Sequence, residues 1–303
     1  MLKRIFINLL LIIMALTFVE AYSFNRTKID NEKFKTQADR LEANSTRQYK
    51  TQYRLLEPFN TTLFRNSFIK DNANNIVWFG CSFAEGAGLN DNQTPCYKIS
   101  ELTGKSCINK AKGATGAQFM YYQINDDKIM DDAKTADFII YTFIWNHIQR
   151  LYNYQVNPLI DMFNLRYKII DGNLVDITPQ FNPLYSSFFV KRILNKIVYK
   201  QAKEESYNFR LFNKIMKETY NISQKRYPNS KFIFIEFPEL SKKELPDYEV
   251  KELESYGIKV IRVKDIIGNI DIYDPKYWLP DNIHPTEQAW DLILPIIVEK
   301  YMN

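Results

Sequence analysis

Three polar clusters stand where chemistry could begin. Gly80-Cys81-Ser82 follows the apolar run Ile76 to Phe79 directly, with Gly86 a turn later. Asn146-His147 follows the run Phe138 to Ile144, separated from it only by Trp145. Asp281-Asn282-Ile283-His284 precedes an apolar stripe near residue 290. A serine hydroxyl is a weak nucleophile near neutral pH. It needs a base, a group that orients the base, and donors for the charge that develops on an attacked carbonyl. Ser82 is the candidate nucleophile, His284 the candidate base, and Asp281 the carboxylate that reaches back to fix the imidazole tautomer. Each cluster also has a plainer reading: Ser82 as a helix cap, Asp281 and His284 as the flank of a helix start, and His147 as a satisfied structural histidine. With 2 histidines in the chain, no CxxC and no Cys/His cluster, neither a zinc site of the usual kind nor any cofactor is expected.

The elements that must position these residues follow an alternating pattern. Strands are expected at Asn75 to Phe79, Ser106 to Asn109, Phe138 to Ile144, Lys231 to Glu236 and Ile258 to Val263. Helical stretches lie between them, at Pro95 to Leu102 (ending at Gly104), Gln118 to about Lys134, and Tyr207 to Arg226. Such alternation implies a parallel sheet covered on both faces. A last helix is expected after His284, with Pro285 at its first position and a kink at Pro295. The long piece at 151–230 carries a hairpin signal at Asp171-Gly172-Asn173 and a basic aromatic helix from Ser187 to Tyr199. It reads as a crossover plus a small cap, and a lid over the site is the other reading.

Taken together, the polar clusters resemble the sequence blocks of the SGNH (GDSL-type) hydrolases. Gly80, Ser82 and Gly86 match Gly-Asp-Ser-x-x-x-Gly, with Cys81 where that family usually has aspartate. Ile108 to Tyr121 resembles the family's glycine block. The contributing backbone falls near Gly113 or Ala114, or at Gly116 in a looser register. Asn146 matches the asparagine of Gly-x-Asn-Asp, with Ile144 and His147 at the neighbouring positions, and Asp281/His284 match Asp-x-x-His. The blocks occur in family order from about residue 75 onward, leaving out most of 151–230. The resemblance implies an α/β fold, a flavodoxin-like three-layer α/β/α sandwich with a central parallel sheet of about five strands. It also implies an acyl-serine at Ser82, with His284 as base and then acid and Asp281 as its orienter. The oxyanion would be held by the Ser82 amide, the Gly113 region and Asn146. No metal or cofactor is implied. The substrate class is a small-molecule or glycan ester, with O-acetyl groups of envelope glycans as one candidate. The same site could instead transfer acetyl groups to a cell-surface polysaccharide. A third class is a non-catalytic envelope protein that keeps the fold for binding. The aromatic residues Tyr152, Tyr154, Tyr167, Tyr185, Phe188 and Phe189 could stack on sugar rings, or could be core.

Bulk properties narrow the field. The 303 residues suit one large domain plus an extension, and 46% hydrophobic with 25% charged residues is ordinary for a folded protein. A net charge of +5, spread along the chain, does not point to nucleic acid. Lys3 and Arg4 precede an apolar run from Ile5 to Val19, so residues 1–24 read as a signal peptide or membrane anchor. Residues 25–70 read as a polar extension with a short helix around Asn31 to Ala43, and 71–303 as the domain. The expected location is therefore exported: periplasmic, extracellular or tethered to the outer face of the cytoplasmic membrane. In such a compartment Cys96 and Cys107 could pair and leave Cys81 free, and three buried thiols are the alternative. Cys81 as nucleophile is the minor reading, because adjacent side chains on a turn point in different directions.

Overall fold

Consecutive apolar residues, with no polar alternation, are what a strand buried on both faces requires. The computed structural model describes residues 75–151, 165–177, 205–239 and 241–302. In chain order its strands are β1 (Asn75–Gly80), β2 (Ser106–Asn109), β3 (Phe138–Phe143), β4 (Tyr167–Ile170), β5 (Asn173–Asp176), β6 (Lys231–Glu236) and β7 (Lys259–Arg262). Five of them form one parallel sheet in the order β2-β1-β3-β6-β7. Register is set at Val77 opposite both Ile108 and Ile139, and at Phe234 opposite both Tyr141 and Val260.

Because side chains alternate along a strand, each run supplies two cores. Val77, Phe79, Ile139, Tyr141, Phe143, Phe232 and Phe234 face one layer. It is completed by α3 (Ala117–Asn125), α5 (Glu205–Arg226) and α6 (Asp247–Ser255). Ile76, Trp78, Phe138, Ile140, Ile233 and Ile235 face the other, against α2 (Pro95–Thr103) and α8 (Glu287–Ile297). The short helices α1 (Ser82–Glu85), α4 (Asn146–Arg150) and α7 (Val263–Ile266) follow β1, β3 and β7. This is a three-layer α/β/α sandwich with the flavodoxin-type strand order. The chain steps from β1 out to β2 and returns to β3 on the other side, so the sheet's topological switch lies between β1 and β3. The crevice beyond the carboxyl ends of those two strands is where ligands bind in such sheets. Ser82 and Asn146 stand on either side of it.

The hairpin forms as expected. Asp171 (φ 49°) and Gly172 (φ 78°) are both left-handed, the requirement of a two-residue turn between twisted antiparallel strands. Tyr167 is buried and packs edge-on against Tyr121, 5.2 Å between ring centres, so it belongs to the core. Two helix boundaries differ from expectation. The helix expected to reach Lys134 stops at Asn125, because the Asp126 carboxylate accepts the amides of Lys128 and Ile129 and turns the chain. The buried Lys110 then pins that turn, its ammonium bonding the Ile129 carbonyl (2.6 Å) and Asp132 (2.5 Å). Pro285 does not open the last helix; it pairs with Trp278 in an antiparallel bridge, and α8 begins at Glu287. Pro295 lies within α8, which widens into a π turn at Val298–Met302. No helix among the described residues is long and apolar enough to cross a membrane. The expected leader (1–24), polar extension (25–70), helix Ser187 to Tyr199, and Tyr152, Tyr154, Tyr185, Phe188 and Phe189 lie outside the described residues.

Cys96 on α2 and Cys107 on β2 are joined by a disulfide, with Cα atoms 5.5 Å apart. It ties the outer strand of the sheet to the helix that covers it. A closed loop of this size stabilises by about 2–4 kcal/mol through the unfolded state. The double variant Cys96→Ala/Cys107→Ala is therefore expected to melt well below the wild type, and wild type in strong reductant to match it. Equal melting temperatures with and without reductant would contradict this.

Candidate active site

The site starts from a backbone position that only glycine can fill. Gly80 ends β1 with φ at 149°, and a Cβ there would lie 2.8 Å from the Ala84 Cβ and 3.0 Å from the Thr142 carbonyl oxygen. The strand can therefore turn sharply into α1 while touching β3. Cys81 and Ser82 separate at that turn. The Cys81 side chain is fully buried in the core, whereas Ser82 is half-buried at the crevice. Burial pushes the Cys81 thiol up, against the opposing pull of the Arg150 charge and of hydrogen bonds to it. A buried thiol with a raised pKa is a poor nucleophile.

His284 arrives from the opposite end of the domain, on a loop that is itself a small antiparallel pairing. The Leu279 amide donates to the His284 carbonyl (2.8 Å) and the Thr286 amide to the Tyr277 carbonyl (2.9 Å). Between them Asn282 turns in the left-handed region (φ 54°), which asparagine tolerates. Phe83 packs against His284, Phe237 and Trp278, so the residue next to Ser82 also braces the imidazole. The outcome is a linear relay. Ser82 Oγ lies 2.9 Å from His284 Nε2, and His284 Nδ1 lies 2.5 Å from Asp281 Oδ2. The second Asp281 oxygen accepts the amides of Ile283 (2.9 Å) and His284 (3.0 Å). Burial disfavours the Asp281 charge, but the hydrogen bond and charge of His284, with those two amides, outweigh it and hold the carboxyl below its usual range. An ionised Asp281 accepts from Nδ1–H, which leaves the Nε2 lone pair facing the serine hydroxyl.

The donor side is more crowded. Ser82 opens α1, so its amide belongs to the first turn, where no helical carbonyl reaches it. The 112–115 turn is tied to the elbow by the Lys112 amide (3.0 Å) and the Thr115 hydroxyl (3.1 Å), both donating to the Gly80 carbonyl. Gly113 is thus brought beside Ser82: a Cβ added to it would lie 3.8 Å from the Ser82 Cβ. Its amide, expected to face an oxyanion, instead donates to Glu85 Oε2 at 2.7 Å, while Lys112 Nζ bonds the other Glu85 oxygen at 3.1 Å. Ala114 holds φ at 62°, and Gly116 caps α3. Asn146 opens α4 at the end of β3, and its amide faces Glu239 Oε1 at 3.4 Å. Burial pushes the Glu239 carboxyl up, and the Asn146 amide opposes that shift. His147 is fully buried with Nδ1 2.6 Å from the Tyr141 hydroxyl; burial and the Arg150 charge both push its pKa far down. It is a neutral structural group. Beneath the site the Arg150 guanidinium donates to the Thr115 carbonyl, and its charge opposes the rise in the Cys81 pKa.

Glu85, Lys112 and Glu239 were not singled out in the sequence. Glu85 follows Ser82 by three residues, one helical turn, and Lys112 adjoins Gly113; those spacings were the available signal. Among the described residues there is no cluster of ligands able to hold a metal ion.

No protein-family model and no curated protein matches the chain. Solved structures similar to it include the psychrotrophic esterase EstA from Pseudoalteromonas sp., at 11% identity over 76% of this chain and 97% of that one (TM-score 0.45). A member of the lipolytic G-D-S-L family from Veillonella parvula matches at 11% identity over 76% and 100% (TM-score 0.44). An acetyl xylan esterase from Butyrivibrio proteoclasticus matches at 9% identity over 76% and 64% (TM-score 0.46).

The left-handed Ala114 yields a stability prediction. A β-branched side chain is far less tolerant of that conformation than alanine, and glycine has no such penalty. Ala114→Val should lower stability by about 1–2 kcal/mol in denaturant melts, whereas Ala114→Gly should match or slightly exceed the wild type. A neutral Ala114→Val would mean that the turn is not held in this conformation.

Proposed function

We propose that the chain is a serine ester hydrolase of the SGNH (GDSL) type. The observation that carries this reading is the relay from Ser82 Oγ through His284 to Asp281, at 2.9 and 2.5 Å. Ser82 Oγ adds to the ester carbonyl carbon as its proton passes to His284 Nε2, and the carbonyl π electrons move onto oxygen. The tetrahedral species collapses, the carbon–oxygen bond to the alcohol breaks, and His284 returns the proton to the departing alkoxide. Water, deprotonated by the same imidazole, then adds to the acyl-serine and releases the acid, restoring Ser82. Asp281 stays ionised throughout and stabilises the imidazolium. The Ser82 amide, the amide edge of the 112–115 turn and the Asn146 side chain are the proposed oxyanion donors.

Two independent features support an exported enzyme. One is the basic-then-apolar pattern of residues 1–24; the other is the Cys96–Cys107 disulfide, a bond that persists in oxidising compartments. There the enzyme works on esters outside the cytoplasm, and we infer O-acetyl groups of envelope glycans as the substrate class.

An alkyl fluorophosphonate probe tests the chemistry directly. Wild type should label, and Ser82→Ala should not. His284→Ala should lose about a thousandfold or more in ester turnover, while Cys81→Ala should keep most of it. Labelling that survives Ser82→Ala would overturn the assignment, and a folded protein that never labels would point to a binding role. Acetyl appearing on added glycan rather than in water would make the enzyme a transferase with the same site.

A further inference from the structure

The donor side holds an anion of the protein's own. Glu85 Oε2 accepts the Gly113 amide at 2.7 Å, and Lys112 Nζ holds the other oxygen at 3.1 Å. The Glu85–Lys112 pair is largely enclosed, with side chains 16% and 9% exposed. Glu85 lies three residues after Ser82 on the same turn, and a Cβ added to Gly113 would lie 3.8 Å from the Ser82 Cβ. A carboxylate oxygen held by the Gly113 amide has the charge that a carbonyl oxygen develops when it is attacked, on an amide expected to receive that charge. Substrate must then displace it to use that amide. Were it to remain, its charge would oppose the one that develops on the carbonyl oxygen.

We propose that Glu85 competes with the substrate carbonyl for the Gly113 amide, and so sets how readily Ser82 is acylated. The proposal rests on the esterase reading and adds a residue to it. Glu85 can yield by side-chain rotation while Lys112 keeps hold of the carboxylate. Lys112 and the Gly113 amide together form a small anion site that Glu85 fills at rest. An ester that brings its own group for Lys112 or for the displaced carboxylate would open the site more readily than a plain alkyl ester. On this basis Glu85 is a specificity residue.

The test compares rates of fluorophosphonate labelling and of p-nitrophenyl acetate turnover in wild type, Glu85→Ala and Glu85→Gln, with Ser82→Ala as the blank. Loss of one charge-assisted hydrogen bond predicts about a tenfold or greater rise for Glu85→Ala. Glu85→Gln should fall between it and wild type, since an amide oxygen is a weaker competitor than a carboxylate. Added sodium acetate should slow Glu85→Ala, by refilling the vacated site, and leave wild type unaffected. A merely structural Glu85 would give no acetate effect. Ser82-dependent labelling that is equal or slower in both variants would overturn the proposal and leave the esterase reading intact. Should Glu85→Ala fail to fold, Glu85→Gln decides alone: a rate at or below wild type rejects the competition. If neither wild type nor the variants label, the esterase reading itself falls.

Discussion

The rest of the structure depends on how closely β1 approaches β3 and α1 at Gly80. The space available there is smaller than a methyl group, with 2.8 Å to one carbon and 3.0 Å to a carbonyl oxygen. Because the strand end can come that close, the chain reverses within two residues and divides Cys81 from Ser82, one into the core and one toward the crevice. The Gly80 carbonyl also gathers the 112–115 turn. A side chain at this point would push apart Ser82 and the 112–115 turn at once, without touching either.

Around that point the charges are layered. Arg150 lies beneath the elbow, bonded to the Thr115 carbonyl, and its positive charge helps to keep the buried His147 neutral. Asp281 lies behind His284 with its charge held in place by the imidazole and two amides. Cys81, at the position where the pattern it resembles has aspartate, contributes buried volume rather than a reactive thiolate. The two carboxylates nearest the donor side, Glu85 and Glu239, each face a backbone amide, that of Gly113 and that of Asn146.

Much of this was legible in the sequence because it rests on local rules. Uninterrupted apolar runs announce two-sided strands, and all five sheet strands fall within a residue or two of the runs that predict them. Asp171-Gly172 announces its turn because few other pairs adopt two left-handed residues. Asp281 and His284 could be paired from a spacing of three, since a short loop confines both. What escaped depends on tertiary contacts. The end of α3 is decided by Asp126 taking two amides and Lys110 reaching across from another segment. Pro285 pairs with Trp278 seven residues earlier rather than entering the helix. The Gly113 amide meets Glu85 across 28 positions of sequence, and no spacing rule links a glutamate on one turn to an amide on another.

The Ser82–His284 contact spans 202 residues, and this has a temporal meaning. A chain made N-terminus first, at 5 to 20 residues per second, carries its serine for roughly 10 to 40 s before the histidine exists. Throughout that interval Ser82 is an ordinary alcohol. The hairpin-like loop that presents His284 is also among the last pieces of the domain to be made. The Ser82–His284 contact is therefore among the last of the described domain to form, and a copy truncated before His284 lacks it.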